Sequence, residues 1–419
     1  MKKWVVFAVL ALPSLAFAQH PSPAAAAAHA YPSHERRALT ANVAEYTFDV
    51  RVGDGAFDVI TLHRVVQETS PNVPARTRGA VFLAAGDIWN FRAAFLTGGH
   101  PLPVFLAENG IDVWGIDYRW TRVPATTADT SFMETWGLEQ DAADLGFALG
   151  VARHARAMTG SGFDKLFLLG WSRGGQIGYA YLNGESQLPP GLRQVQGFIP
   201  VDIYLKTDDA QLRAFACQRE QNTEAAIAAG QYANPTGGLV ALLGTLAVAD
   251  PNGASFLNPA LTNRQAGLLV GEATFALLGG LEPAPFYHFT GGVFDAFGAP
   301  AGLSYANEAD LFAFEQVSAP FQPNRELADA DAAACEATDV LFDDHLDEIT
   351  VPVLYIGAAG GFGAYGVYTT TLLGSTDVTS LVVSKGTPRL FDYGHADLFL
   401  ANDAQELVWE PLLDWITAR

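Results

Sequence analysis

The sequence predicts an α/β protein: a mostly parallel sheet with helices on both faces, interrupted by one large insertion. Three observations carry that expectation. From residue 80 onward, short and uniformly apolar runs alternate with helix-like stretches, the pattern of βαβ crossovers whose strands are buried on both sides. The alternation stops after Asp202 and returns at Val351. A Gly-x-Ser-x-Gly stretch lies directly between one apolar run and a helical pattern.

The elements follow in order. Residues 46–52 and 57–66 alternate apolar and polar around Gly53-Asp54-Gly55, which reads as an antiparallel hairpin. Residues 80–84 form the first buried strand and run into Ala85-Gly86. A helix then ends near Asn109-Gly110, a C-cap signal, and 111–116 is the next strand. A long helical pattern covers about 134–158, followed by strand 165–169, helix 173–182 and strand 195–201. Residues 206–348 are rich in Ala, Gly, Pro and aromatics, with helices expected near 212–229 and 239–249 and no comparable strand. Strands return at 351–356 and 380–383, and a last helix covers about 404–418.

The ends and the composition bound the functional classes. Lys2-Lys3, an apolar stretch over 4–15 and Ala16-Phe17-Ala18 before Gln19 form the pattern of a secretory signal peptide over residues 1–18. The Ala/Pro-rich stretch that follows predicts a disordered lead-in over 19–45. No later run reads as a transmembrane anchor: 239–248 is short, and 266–281 is broken by Glu272. The formal net charge of −21 disfavours nucleic acid as a partner. Two cysteines, Cys217 and Cys335, permit a disulfide in an exported protein, with two separate buried thiols as the alternative. The nine histidines form no cluster with metal-ligand spacing, so no metal site is expected.

Gly170-Trp171-Ser172-Arg173-Gly174 has the context that its chemistry requires. A tight strand-to-helix turn needs small residues beside the central serine, and it lifts the hydroxyl off the sheet edge toward a helix N-terminus. A serine hydroxyl needs a base. His395, in Gly394-His395-Ala396-Asp397, follows the last expected strand and precedes the final helix. That position puts it on a loop at the same sheet edge as Ser172.

With these residues the chain resembles the α/β-hydrolase fold family over residues 46–205 and 349–419. The resemblance implies an eight-stranded, mostly parallel sheet and a Ser–acid–His order along the chain. It also implies a cap inserted after strand six, where 206–348 lies. It further implies an oxyanion hole made by the backbone N–H of Arg173 and a second N–H after strand three, from Asp87 or Ile88. The Asp87 side chain is expected to cap the following helix, and that of Arg173 reads as solvent-facing.

The acid is the unusual member. In most of the family it follows strand seven, but residues 357–366 contain no Asp or Glu. Asp377 precedes the last strand and is expected at the opposite sheet edge, while Asp392 and Asp397 are too near His395 in sequence and read as loop-shaping residues. Asp202 ends strand six at the correct edge, an arrangement similar to the pancreatic-lipase-like branch, and is the candidate. The alternative for Asp202 is a local cap at the insertion boundary. The insertion's aromatics, Phe286 to Phe289 and Phe294 to Phe321 among them, read mainly as packing onto the sheet, with a few left to line an apolar pocket.

The resulting expectation is an exported, cofactor-free serine hydrolase acting on a small-molecule or lipid-like carboxylic ester. Lactonase, peptidase and acyltransferase chemistry on the same fold are alternatives, as is a non-catalytic binding protein. Nothing in the sequence sets the oligomeric state.

Overall fold

The computed structural model describes residues 35–277 and 284–419. The expected signal peptide lies outside the described residues. The main sheet contains β1 (Glu35–Ala38), β2 (Val43–Arg51), β3 (Val59–Ser70), β4 (Gly79–Ala84), β5 (Ile111–Asp117), β6 (Leu166–Trp171), β7 (Val195–Val201), β8 (Val353–Ala358) and β9 (Val378–Val383). Their spatial order is β1-β2-β3-β5-β4-β6-β7-β8-β9, with a two-residue strand, Val73–Pro74, beside β3. Strands β1 to β3 pair antiparallel, β3 pairs antiparallel with β5, and the remaining neighbours are parallel.

Two expectations need correction. The eight anticipated strands are present, but β1 and Val73–Pro74 add two more. The ordered chain also begins before residue 46: Glu35 to Ala38 pairs with Thr47 to Ala44, and β2 starts at Val43. β1 is an exposed edge strand of sequence Glu-Arg-Arg-Ala. One side of it is paired and neither face is deeply buried, so no apolar alternation marks it.

The parallel strands are apolar throughout because both faces are covered. In β4, Val81 and Leu83 enter one core while Ala80 and Phe82 enter the other. In β6, Phe167, Leu169 and Trp171 point to the first core and Leu166 and Leu168 to the second. The helices flanking these strands are α1 (Phe91–Phe95), α2 (Leu102–Glu108), α3 (Leu138–Met158) and α4 (Arg173–Ser186). Leu145 and Leu149 of α3 and Ile177 and Tyr179 of α4 share the second core. Phe91, Phe105 and Trp415 lie in the first.

Between β7 and β8 the chain adds no strand to the main sheet among the described residues. It forms α5 (Ala210–Ala228), α6 (Thr236–Ala249), α7 (Asn263–Glu272), α8 (Glu308–Gln316) and α9 (Asn324–Cys335). Two short pairings accompany them, Gly292–Phe294 with Pro300–Leu303 and Ala233–Asn234 with Gln322–Pro323. Helices α5 and α9 pack together and are joined by a disulfide between Cys217 and Cys335, 118 residues apart. Asp329 of α9 accepts a hydrogen bond from the Leu138 backbone N–H at 3.0 Å, so the insertion caps the long core helix α3. After β8 come α10 (Tyr365–Thr371) and, at the end, α11 (Glu410–Thr417). Among the described residues, no helix is long and apolar enough to cross a membrane.

One buried polar cluster fixes the hairpin to the sheet. His63 Nδ1 lies 2.8 Å from Glu45 Oε1, and its Nε2 lies 3.1 Å from Asp117 Oδ2. Arg92 Nε donates to the same Glu45. Burial alone would lower the His63 pKa, but Asp117 and Glu45 more than reverse this and lift it to about 9. A histidine whose folded value lies above its ordinary value contributes stability that is fully present below the ordinary value. That contribution is lost as pH rises through the folded value. The melting temperature is therefore expected to fall from about pH 7 to about pH 10. His63→Gln should start lower and show a flatter curve across that window. Differential scanning fluorimetry across the pH series checks it.

Candidate active site

Ser172 stands between β6 and α4 with φ 56° and ψ −129°, a conformation that an L-residue adopts only under constraint. The turn has no spare room. A Cβ on Gly174 would lie 2.2 Å from the Ala84 carbonyl oxygen, so the position needs glycine. The Ser172 N–H donates to the Val201 carbonyl at 2.9 Å, and the Ser172 carbonyl accepts from Gly175 at 2.8 Å. The elbow is thereby fixed to the neighbouring strand and to its own helix.

The loop after β4 meets the elbow from the other side. A Cβ on Gly86 would fall 2.5 Å from Ser172 Cβ, so the Gly86 backbone lies against the serine. The next two residues, Asp87 and Ile88, carry the backbone around it, and Ile88 has φ 54°, unusual for a β-branched residue. Arg173 is the first residue of α4, and a first-turn N–H has no partner within its own helix.

Two side-chain expectations fail at this point. The Asp87 carboxylate does not cap the following helix: Asn90 does, accepting from the Ala93 N–H. Arg173 is not solvent-facing but buried. The two side chains pair instead, Arg173 Nε to Asp87 Oδ1 at 2.8 Å and Arg173 Nη2 to Asp87 Oδ2 at 3.3 Å. A planar guanidinium matched to a carboxylate gives this two-bond geometry. Gln176 accepts from Arg173 Nη1, and Gln322 of the insertion donates to Asp87 Oδ1 at 2.5 Å. Burial would raise the Asp87 pKa, but the adjacent Arg173 outweighs it and holds the carboxyl below its ordinary value.

His395 lies on the loop after β9 and is buried. Its ring stacks on that of Trp171, the residue before Ser172, with centroids 4.9 Å apart. Its Nδ1 lies 2.7 Å from Asp202 Oδ2. The structure thus brings together the elbow, His395 and Asp202. The other carboxylates go elsewhere. Asp377 pairs with Arg419 on the surface, and Asp392 accepts from Ser384, Lys385 and Tyr393 within its loop. Asp397 accepts from the Gly394 N–H at 2.7 Å and the Gly291 N–H at 2.8 Å, tying the histidine loop to the insertion. His288 serves as scaffold: its carbonyl accepts the His395 N–H at 2.9 Å.

Asp202 has φ 46° and no exposed surface. Its Oδ1 accepts from the N–H groups of Ala358 and Gly363, both at 2.8 Å, and its Oδ2 accepts from Phe362 at 3.0 Å. The acid-free, glycine-rich loop after β8 is therefore a cradle of donors for a carboxylate supplied by β7. A Cβ on Gly361 would sit 2.0 Å from Asp202 Oδ2. This cradle was not legible in the sequence. Its only signal was the run of glycines where a charged residue was expected.

The structure of a candidate lipase from Sulfolobus solfataricus superposes on 93% of this chain and 99% of its own, with TM-score 0.62 and 18% sequence identity. The fold is that of the α/β-hydrolases. A soluble variant of monoglyceride lipase from Saccharomyces cerevisiae aligns at 13% identity, covering 92% of this chain and 94% of its own with TM-score 0.46. A thermophilic esterase from Thermogutta terrifontis aligns at 15% identity, covering 89% of this chain and 98% of its own with TM-score 0.40. No family model matches the sequence, and no curated protein sequence matches it. Among the described residues, no group of three or more His, Cys, Asp or Glu could hold a metal ion.

The α/β-hydrolase sheet and the cradle make a prediction about stability. Gly361→Ala drives a methyl group into the Asp202 carboxylate and should destabilise the protein by about 2 kcal/mol in urea unfolding. Gly184→Ala is the control, because nothing lies within 4 Å of its Cβ and the site is helical. It should be neutral or slightly stabilising.

Proposed function

We propose that this protein is a serine hydrolase that cleaves carboxylic esters through an acyl-enzyme. The observation that carries the reading is the 2.7 Å contact between His395 Nδ1 and the buried, backbone-anchored Asp202. An imidazole held through Nδ1 presents Nε2 as the base, and a fixed carboxylate favours the imidazolium that forms when it takes a proton. In the proposed reaction Ser172 Oγ attacks the ester carbonyl and His395 accepts its proton. The backbone N–H groups of Arg173 and Asp87 bind the oxyanion of the tetrahedral intermediate. Collapse expels the alcohol, which takes the proton from His395. Water then repeats the sequence on the acyl-enzyme and releases the acid. The chemistry requires no cofactor.

Further support comes from the backbone. Ile88, Ser172 and Asp202 all hold positive φ, and strained backbone of this kind clusters at functional sites. The Asp202 contact also weakens the non-catalytic alternative, because it supplies the acid that the loop after β8 lacks. The signal-peptide pattern together with the Cys217–Cys335 bond supports an exported protein in an oxidising compartment. The acidic composition supports a small ester rather than nucleic acid as partner.

Reaction of the mature protein with a fluorophosphonate, followed by peptide mass spectrometry, should place the adduct on Ser172. A folded protein that stays unlabelled there would end the proposal. Asp202→Asn should lower kcat on p-nitrophenyl acetate by about 10⁴-fold, because the imidazole loses both its orientation and its counter-charge. Steady-state kinetics checks this, with circular dichroism confirming the fold.

A further inference from the structure

The cavity that opens on Ser172 is small, with charged and polar side chains on one side and Ile203, Tyr204 and Phe362 on the other. Its volume is about 30 Å³, room for about two waters. The core contributes Asp87, Arg173 and Gln176, and the insertion contributes Arg219 and Asp331. Arg219 Nε donates to Asp331 Oδ2 at 3.0 Å, a second ion pair facing the one between Arg173 and Asp87. Two guanidinium groups and two carboxylates leave the lining without net formal charge. Of the aromatic rings near His395, Phe362 lines this space together with Tyr204, which packs on it, whereas Trp89, Phe289 and Phe314 do not. Trp89 and Phe314 stack on each other, and Phe289 packs edge-on against both. They fill the interior as packing residues.

The insertion's side of the cavity is held in place. Arg219 is two residues from Cys217, and Asp331 is four residues from Cys335, on the two helices that the disulfide joins. Gln322, at the start of the same segment, bonds Asp87 across the junction. The shape of the cavity is therefore set jointly by core and insertion.

We propose that the enzyme is selective for esters of short acids whose acyl group is polar and uncharged, such as short hydroxy acids. Arg219 and Asp331 are the specificity-determining pair. This rests on Ser172 being the nucleophile. The physical case has two parts. A long alkyl chain exceeds the space, and it would strip water from two ion pairs without replacing a hydrogen bond. A small hydroxyl-bearing group fits and returns those hydrogen bonds, while a charged group would unbalance a neutral lining.

The test is kcat/KM on the p-nitrophenyl acetate, butyrate and octanoate series, with ethyl lactate and ethyl butyrate compared by pH-stat. Acetate should exceed octanoate by about a hundredfold or more, and ethyl lactate should exceed ethyl butyrate by about tenfold. The double variant Arg219→Ala/Asp331→Ala should narrow the acetate-to-octanoate ratio by about tenfold. Octanoate turned over as well as acetate, ethyl butyrate preferred to ethyl lactate, or an unchanged ratio in a folded double variant would each overturn the inference. The wild-type series decides even if the variant does not fold. Fluorophosphonate labelling separates the two levels. Label on Ser172 with a flat chain-length profile defeats the selectivity alone. No label and no acetate turnover defeats the hydrolase reading and the selectivity with it.

Discussion

The carboxylate of Asp202 is the contact around which three distant parts of the chain are arranged. It leaves the end of β7, takes one backbone N–H from the last residue of β8 and two from the loop that follows, and meets His395 from the loop after β9. A buried carboxylate in a dry interior is costly unless its lone pairs are used, and here they are used. The loop must come close enough to donate, so it carries glycine where a side chain would collide with the acid. The histidine loop must in turn follow: the Gly360 N–H donates to the Tyr393 carbonyl, and the His395 N–H donates to His288. With the acid standing at the end of β7, the loop after the neighbouring β8 carries glycine and no carboxylate.

The elbow depends on the same principle at a shorter range. Ser172, Ile88 and Asp202 each hold a backbone conformation that costs about 1–3 kcal/mol. Each is fixed by neighbours that leave no alternative. Ser172 is bonded to Val201, the Ile88 carbonyl accepts from Ala319 of the insertion, and the Asp202 N–H donates to Ile356. The sheet holds Ser172 and Asp202, and the insertion holds Ile88.

What the sequence revealed and what it concealed follow from range. The elbow was legible because its requirement is local: small residues on both sides of a serine, between a strand and a helix. Asp202 was legible because strand direction alone assigns it to the edge that carries Ser172. The pairing of Arg173 with Asp87 spans 86 residues and the bond from Gln322 to Asp87 spans 235, and no local pattern encodes either. An Asp before a helix reads as a cap, and only the arrival of an arginine from the start of another helix changes its use. The edge strand β1 was hidden for the opposite reason, because it buries too little to impose a pattern.

The disulfide has a mechanical consequence. Cys217 and Cys335 sit on helices that face each other across the roof of the cavity, far apart in the chain. With that bond closed, α5 and α9 share one rigid frame, and neither can swing aside alone. The pair is also tied to the core, through Asp329 to the Leu138 N–H and through Gln322 to Asp87. The far wall of the cavity therefore cannot be peeled open from one side.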